Sequence, residues 1–352
     1  MRPAAILGIL ACGMTAAAWL RLAPGLESVG VAPGIGLVGG SLIGGWLIRR
    51  GSHKAALVAG LALLGAALWC LAAVPAAQSL AAVPAAQSWM RLASGALGLG
   101  VGMAFLAANA SVPAASGEIS GQRATALTLL NLPLPAGVLL NPILSPVNML
   151  RLAAVVATVA LATAVGMSMP PRETGVEVTR PATPLLALLL FLYVLCEAGT
   201  WTWMVRYMGA ARVLDGETAW LILSYGLPLG LMVGRAGCAR ILVNVAPPTV
   251  VRFAAYTMTF ATALLLLARS PSASWTAAFV VGIAMAPVLP TVLAMAGDAL
   301  AMGMVLAAGW IAVVASTPLI AWIAGRSSLP TAMLLLPVLS LGMALATMGM
   351  RE

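Results

Sequence analysis

The chain has 352 residues, of which 62% are hydrophobic and 8% charged, with mean hydropathy +1.05 and a formal charge of +9. A soluble globular domain is roughly a quarter charged, so this composition excludes one, along with a disordered chain and a secreted disulfide scaffold. The basic residues fall as singles or pairs between apolar runs, with no patch of interleaved aromatics, which excludes nucleic acid as a partner and points to a phospholipid bilayer.

From the N-terminus, Met1-Arg2 precedes an apolar run that continues to Leu22, too long for the h-region of a signal peptide. A helix needs about 20 apolar residues to cross the hydrocarbon. Runs of that kind predict an all-α integral membrane protein with twelve spans. Six lie at 3–22, 31–48, 54–74, 91–113, 124–146 and 150–170, and six at 183–207, 218–235, 249–268, 273–295, 302–324 and 329–349. The chain therefore divides into an N-terminal six-helix bundle (1–170), a polar linker (171–182) and a C-terminal six-helix bundle (183–352).

The second span is short and glycine-rich; at 1.5 Å per residue it reaches about 27 Å. Residues 71–79 and 80–88 are the same nonapeptide, a perfect tandem copy in the third loop, to which no function is assigned. Cys12, Cys70, Cys196 and Cys238 form no CxxC pair and read as small buried hydrophobes. With the N-terminus inside, eleven basic residues face the cytoplasm and seven face out, so both termini are expected in the cytoplasm of a bacterial inner membrane.

Two features recur between the halves. Ala114–Glu118 and Ala294–Asp298 both read A-x-x-G-acid. Arg49, Arg50 and Lys54 follow span two, as Arg235 and Arg240 follow span eight, each after a glycine-rich helix end. Duplicated halves suit a transporter with a site between them near the midplane. Charged helix ends, here Arg50, Lys54, Glu118, Arg123, Arg235, Arg240 and Asp298, would latch one state.

The stretch Gly44–Lys54 resembles the G-x-L-x-D-R-x-G-R-K loop of the major facilitator superfamily. Gly45, Leu47, Arg50, Gly51 and Lys54 fit, Arg49 replaces the aspartate, and one residue is missing before Gly51. Phe191–Trp203 in span seven resembles the Y-V-G-x-E-x-x-x-G-x-W pattern of the fucose-permease-like branch. Ala286–Thr291 is similar to its A-P-x-x-P-T, and Ala107–Asn109 to its A-A-N-P with alanine for proline. The resemblance implies two pseudo-symmetric bundles and secondary transport of a sugar-like solute.

Glu197 is the one acid placed mid-span. An intramembrane carboxylate is costly and marks a pathway by default, with a packing role as the bland alternative. Trp201 shares its helix face at i+4 and could stack on a sugar, or serve as a belt residue. Asn109 and Asn131 are pathway candidates, as is Trp310; Trp203 reads as an interface aromatic. Pro133, Pro135, Pro142, Pro287 and Pro290 are bending points or simple kinks.

No nucleotide loop, no HExxH and no pair of carboxylates within one span is present, so neither an enzyme, a cofactor nor a metal is expected. The leading expectation is a monomeric secondary transporter of a small polar solute, with protons as the coupling ion. The competitors are an exporter of drugs or hydrophobic metabolites on the same fold, a membrane enzyme, and a transport-dead scaffold. Cysteines introduced within 71–88 should label from outside intact cells, and those within 171–180 only after permeabilisation. Labelling of the linker by an impermeant reagent on intact cells would overturn the orientation.

Overall fold

The computed structural model describes residues 3–22, 30–51, 53–73, 84–112, 121–167, 183–211 and 214–350. The linker 171–182, Glu118 and most of the tandem nonapeptide lie outside the described residues. Every regular element among the described residues is helical.

The helices are α1 (Pro3–Leu22), α2 (Ala32–Arg49), α3 (His53–Ala73), α4 (Pro84–Ala110), α5 (Gly121–Leu130), α6 (Pro133–Val138), α7 (Pro146–Gly166) and α8 (Thr183–Ala210). They continue with α9 (Gly216–Ile241), α10 (Pro247–Leu267), α11 (Pro271–Met285), α12 (Val288–Met295), α13 (Ala299–Arg326), α14 (Leu329–Met333) and α15 (Leu335–Thr347). Counting α5–α6, α11–α12 and α14–α15 as single broken spans gives the twelve expected spans. Ten of these are long and apolar enough to cross a bilayer unaided. The other two are the 18-residue α2 and the broken fifth span, of 10 and 6 residues.

Helix starts follow local chemistry. Ser145, Asp215, Ser270 and Ser328 each accept a backbone N–H three residues on, capping α7, α9, α11 and α14. Three of these helices, all but α9, carry proline in the first turn, where its missing N–H costs nothing. The Thr218 backbone N–H and hydroxyl bind the Asp215 carboxylate and hold its pKa below the ordinary value.

Proline also explains the breaks. Pro133 and Pro135 remove the N–H groups that would bond the carbonyls of Leu129 and Asn131, and the fifth span breaks between α5 and α6. Pro287 and Pro290 do the same between α11 and α12. The eighth span differs from expectation: it runs to Ile241 rather than ending at 235, since the helix accommodates Pro228 and no further proline follows until the Pro247-Pro248 pair. Arg235 and Arg240 are therefore helical, not loop, residues.

The chain forms two compact units. Unit 1 holds the described residues of Met1–Gly117, Ala136–Arg180 and Ala296–Ala307; unit 2 holds those of Glu118–Pro135, Pro181–Met295 and Ala308–Glu352. In unit 1, alanines and leucines of α1, α3, α4 and α7 (Ala4, Leu57, Leu61, Ala104, Ala160) make a fully buried seam. Cys12, Cys196 and Cys238 are buried as expected; Cys70, at the end of α3, is instead exposed. All four thiols are free.

Each unit contains the same close contact. In α2, Gly36, Gly40 and Gly44 face α4, and a Cβ on Gly40 would lie 2.2 Å from the Leu99 carbonyl oxygen. In α9, Gly226, Gly230 and Gly234 face α11 and the turn after it, and a Cβ on Gly230 would lie 2.1 Å from the Phe279 oxygen. The stripes share four-residue spacing and are offset by 190 positions throughout. Small residues at that spacing let backbones touch, the main source of helix affinity where lipid removes the hydrophobic drive. Gly230→Val should force α9 and α11 apart and destabilise the folded protein by about 1–3 kcal/mol, the usual cost of overpacking. Unfolding in detergent measures this; an unchanged midpoint would contradict the contact.

Candidate functional site

Glu197 sits near the middle of α8, with Tyr193 four residues before it and Trp201 four after. That spacing puts all three on one helix face. Tyr193 is 1% exposed, whereas Glu197 and Trp201 are half-buried. The Trp201 side chain lies beside the Glu197 carboxylate. The Tyr193 hydroxyl lies beside the same carboxylate, yet makes no hydrogen bond of full geometry and is buried.

The opposite charge comes from α9. Arg235, expected in a cytoplasmic loop, is 1% exposed and is the largest fully buried side chain described. Its guanidinium interacts electrostatically with Glu197 and Tyr193. Two local features place it there. The uninterrupted α9 carries position 235 inside the unit. Its neighbour Gly234 packs against the break in the tenth span, where a Cβ would sit 2.6 Å from that of Ala286.

Arg235 Nη1 donates to the backbone carbonyl of Asn131, the carbonyl that Pro135 deprives of its helical donor. The same oxygen also accepts a tighter, 3₁₀-type bond from Leu134 N–H at 3.2 Å. The Nε of Arg235 is buried without a partner. The result is a compact polar cluster in unit 2, built from α8, α9 and the end of α5. It offers one carboxylate acceptor, one guanidinium, one phenol and one indole.

The cluster gathers three of the pathway candidates, Glu197, Trp201 and Asn131, the last through its backbone. The Asn131 side chain bonds back to the Leu127 carbonyl at 2.9 Å. Asn109 is wholly buried in α4, in unit 1, where its amide bonds the Phe105 carbonyl at 2.9 Å. Trp310 is half-buried on α13. Trp203 carries Arg206 over its ring at 5.2 Å, and its indole Nε1 is buried.

The charged helix ends are engaged locally. Arg50 is exposed and stacks on Trp46 at 3.9 Å. Lys54 donates to the Val165 carbonyl at 2.7 Å, and Arg123 to that of Ala294 at 3.0 Å, each near a helix C-terminus. Asp298 accepts from Ala301 N–H at 2.7 Å and caps α13. Arg240 is exposed.

Sequence reading missed Arg235 and Tyr193 as members of the site. Tyr193 was detectable at i−4 from Glu197. For Arg235 the signal was the lack of any proline between 235 and 246. No group of three or more His, Cys, Asp or Glu side chains able to hold a metal occurs among the described residues.

This is a helical integral membrane protein with the major facilitator fold. The chain is similar over its full length to the fucose transporter FucP in its outward conformation, with a TM-score of 0.78, 15% identity and coverage of 100% of this chain and 99% of that one. It is also similar to a variant of the E. coli fucose:proton symporter FucP (TM-score 0.74, 16% identity, covering 99% and 98%). The human organic anion transporter MFSD10 gives a TM-score of 0.73 at 14% identity, covering 98% of each chain. The proton:xylose symporter XylE, bound to 6-bromo-6-deoxy-D-glucose, gives 0.70 at 14% identity, covering 97% and 93%. At these identities the likeness is one of fold. No protein-family model and no curated protein matches the sequence.

A charge pair taken out of water is costly to split, because the survivor is left uncompensated in a medium that solvates it poorly. Arg235→Met and Glu197→Gln should each destabilise the protein, Arg235→Met by about 3–5 kcal/mol. The double variant should recover a large part of that loss. Additive losses in detergent unfolding would show that the two charges do not compensate one another.

Proposed function

We propose that the chain is a secondary transporter of a small, uncharged polar solute of the sugar type, driven by protons. The observation that carries this is Glu197, a half-buried carboxylate in mid-span beside Tyr193, Trp201 and Arg235. A carboxylate accepts hydroxyl hydrogen bonds, the indole offers a stacking face, and the phenol and guanidinium supply donors. The pair Glu197–Arg235 is neutral as a whole, which suits a neutral solute better than an ion. The fold shared with a fucose:proton symporter and a proton:xylose symporter supports the same reading.

In this proposal transport runs by alternating access, with 1–170 and 183–352 as the moving halves. The helix-end groups Arg50, Lys54, Glu118, Arg123, Arg240 and Asp298 hold one state, while Arg235 belongs to the core. The protein is a monomer in the bacterial inner membrane with both termini in the cytoplasm, in keeping with the excess of basic residues assigned inside. A second reading, carriage of an organic anion, draws on the buried Nε of Arg235 and on the fold shared with the human organic anion transporter.

Glu197→Gln keeps the side-chain shape while removing its titration. In proteoliposomes given a panel of labelled sugars, uphill uptake driven by a pH gradient should vanish while solute exchange persists. If Glu197 serves only as a charged acceptor for a sugar hydroxyl, both modes should fall together, with affinity weakened by about 1.5–3 kcal/mol. If neither mode changes, Glu197 is structural and the proposal fails. Preference for labelled organic anions over every sugar would favour the second reading.

A further inference from the structure

Other basic side chains at helix ends of unit 1 bond carbonyls, as Arg21 does at Asn141 and Leu144 and Lys54 at Val165. Arg50 does not. The last carbonyls of α2 are already taken: the Arg50 N–H bonds those of Trp46 and Leu47 at 3.1 Å, and the Gly51 N–H bonds that of Ile48 at 2.9 Å. Gly51 then turns the chain at φ +92°, a left-handed conformation that ends the helix. The exposed Arg50 guanidinium lies over the Trp46 ring instead, 3.9 Å from its centroid. Stacking occupies one face of the guanidinium plane and leaves its in-plane N–H groups directed outward. Among the described residues no acceptor is bonded to them.

The surroundings supply no anion. Residues 28–117 contain no Asp or Glu, and the one acid among the described residues of unit 1, Asp298, caps α13. Arg50 and its neighbours Arg49 and Lys54 make the end of α2 strongly positive. The side of α2 away from its glycine contacts is apolar and open: Val31, Ile35, Leu42, Ile43 and Trp46 are exposed, Ile35 by 66%. In a membrane-spanning chain such a face meets lipid tails. The helix has 18 residues, about 27 Å, against hydrocarbon about 30 Å thick. A span this short thins the bilayer around it or is anchored by its flanking residues.

We propose that Trp46 and Arg50 form a docking site for the phosphate of an anionic phospholipid whose tails lie along the open face of α2. The guanidinium donates its in-plane N–H groups to the phosphate oxygens, in the paired geometry that a planar fork allows. The indole fixes the plane of the guanidinium and covers the glycerol end of the tails. Arg49 and Lys54 add positive potential that favours a lipid with net negative charge over a zwitterionic one. Arg49 stands where the resembling loop has aspartate, so no carboxylate at that position repels the phosphate. The bound headgroup is thereby held down at the end of the shortest unbroken span.

Native mass spectrometry of the full-length protein in detergent, titrated with phosphatidylglycerol or with phosphatidylcholine, tests this. Phosphatidylglycerol should bind the tightest site more strongly than phosphatidylcholine. Arg50→Gln should weaken that binding about tenfold, the lower end of what a charge-assisted hydrogen bond is worth, and Trp46→Leu about threefold, through loss of the stack. Arg50→Lys keeps the charge without the fork and should retain only part of the affinity. Trp322 and Arg326 make the same pair at the end of α13, also at 3.9 Å, with no other basic residue between 270 and 350. Arg326→Gln is therefore the control and should leave the tightest binding unchanged. Equal affinity for the two lipids overturns the inference, as does full affinity in Arg50→Gln or Trp46→Leu, or an equal loss in Arg326→Gln. Release of the lipid by inorganic phosphate at equal concentration also overturns it, since the site would then take the free anion.

Discussion

Every backbone carbonyl placed in hydrocarbon must find a donor, and this chain meets that demand largely with its basic side chains. Where a helix ends or breaks, a basic side chain from another part of the fold often caps it. Arg21 donates to the carbonyls of Asn141 and Leu144, His53 to Ala107 and Lys54 to Val165. Arg123 donates to Ala294, Arg235 to Asn131, and Arg252 to Thr347 and Met350. An unsatisfied buried carbonyl costs about 1–3 kcal/mol even before the bilayer is considered, so these bonds decide where helices can stop. The net charge of +9 is thus only partly a topology signal. Much of it is structural, since helix C-termini are also where the macrodipole favours a cation.

Close packing and polar capping divide the work of assembly. The glycine stripes of α2 and α9 bring helix backbones into contact and leave no room for side chains between them. Buried polar side chains occur on many helices, but a buried backbone is opened where proline interrupts a span. The fifth and tenth spans are such places, and α9 meets both: Gly234 lies against the break in the tenth, while Arg235 reaches the break in the fifth. Consecutive residues on one helix therefore serve opposite needs, one by having no side chain and the next by having the longest charged one.

The position of Glu197 follows from the same economy. An isolated carboxylate in mid-span would be strongly unfavourable, and an isolated Arg235 equally so. Placed together they are a neutral unit, and the surrounding Tyr193 and Trp201 add dipoles without adding charge. A neutral unit can rest in a membrane at far lower cost than either charge alone.

Composition, apolar run length and the placement of charge determined by themselves that this is a helical membrane protein with twelve spans, because the thickness of hydrocarbon fixes how long each run must be. The resemblance in the Gly44–Lys54 loop and in span seven pointed to the fold, and the mid-span position of Glu197 singled it out as a candidate. The partners of Glu197 were not legible in the same way. Arg235 lies 38 positions away and reads as a helix-end cation as long as span eight is taken to stop there. Only the tertiary structure showed α9 continuing past it and α5 presenting a carbonyl to it. Local sequence sets where a helix breaks; which distant side chain repairs the break depends on which helices the glycine contacts bring together.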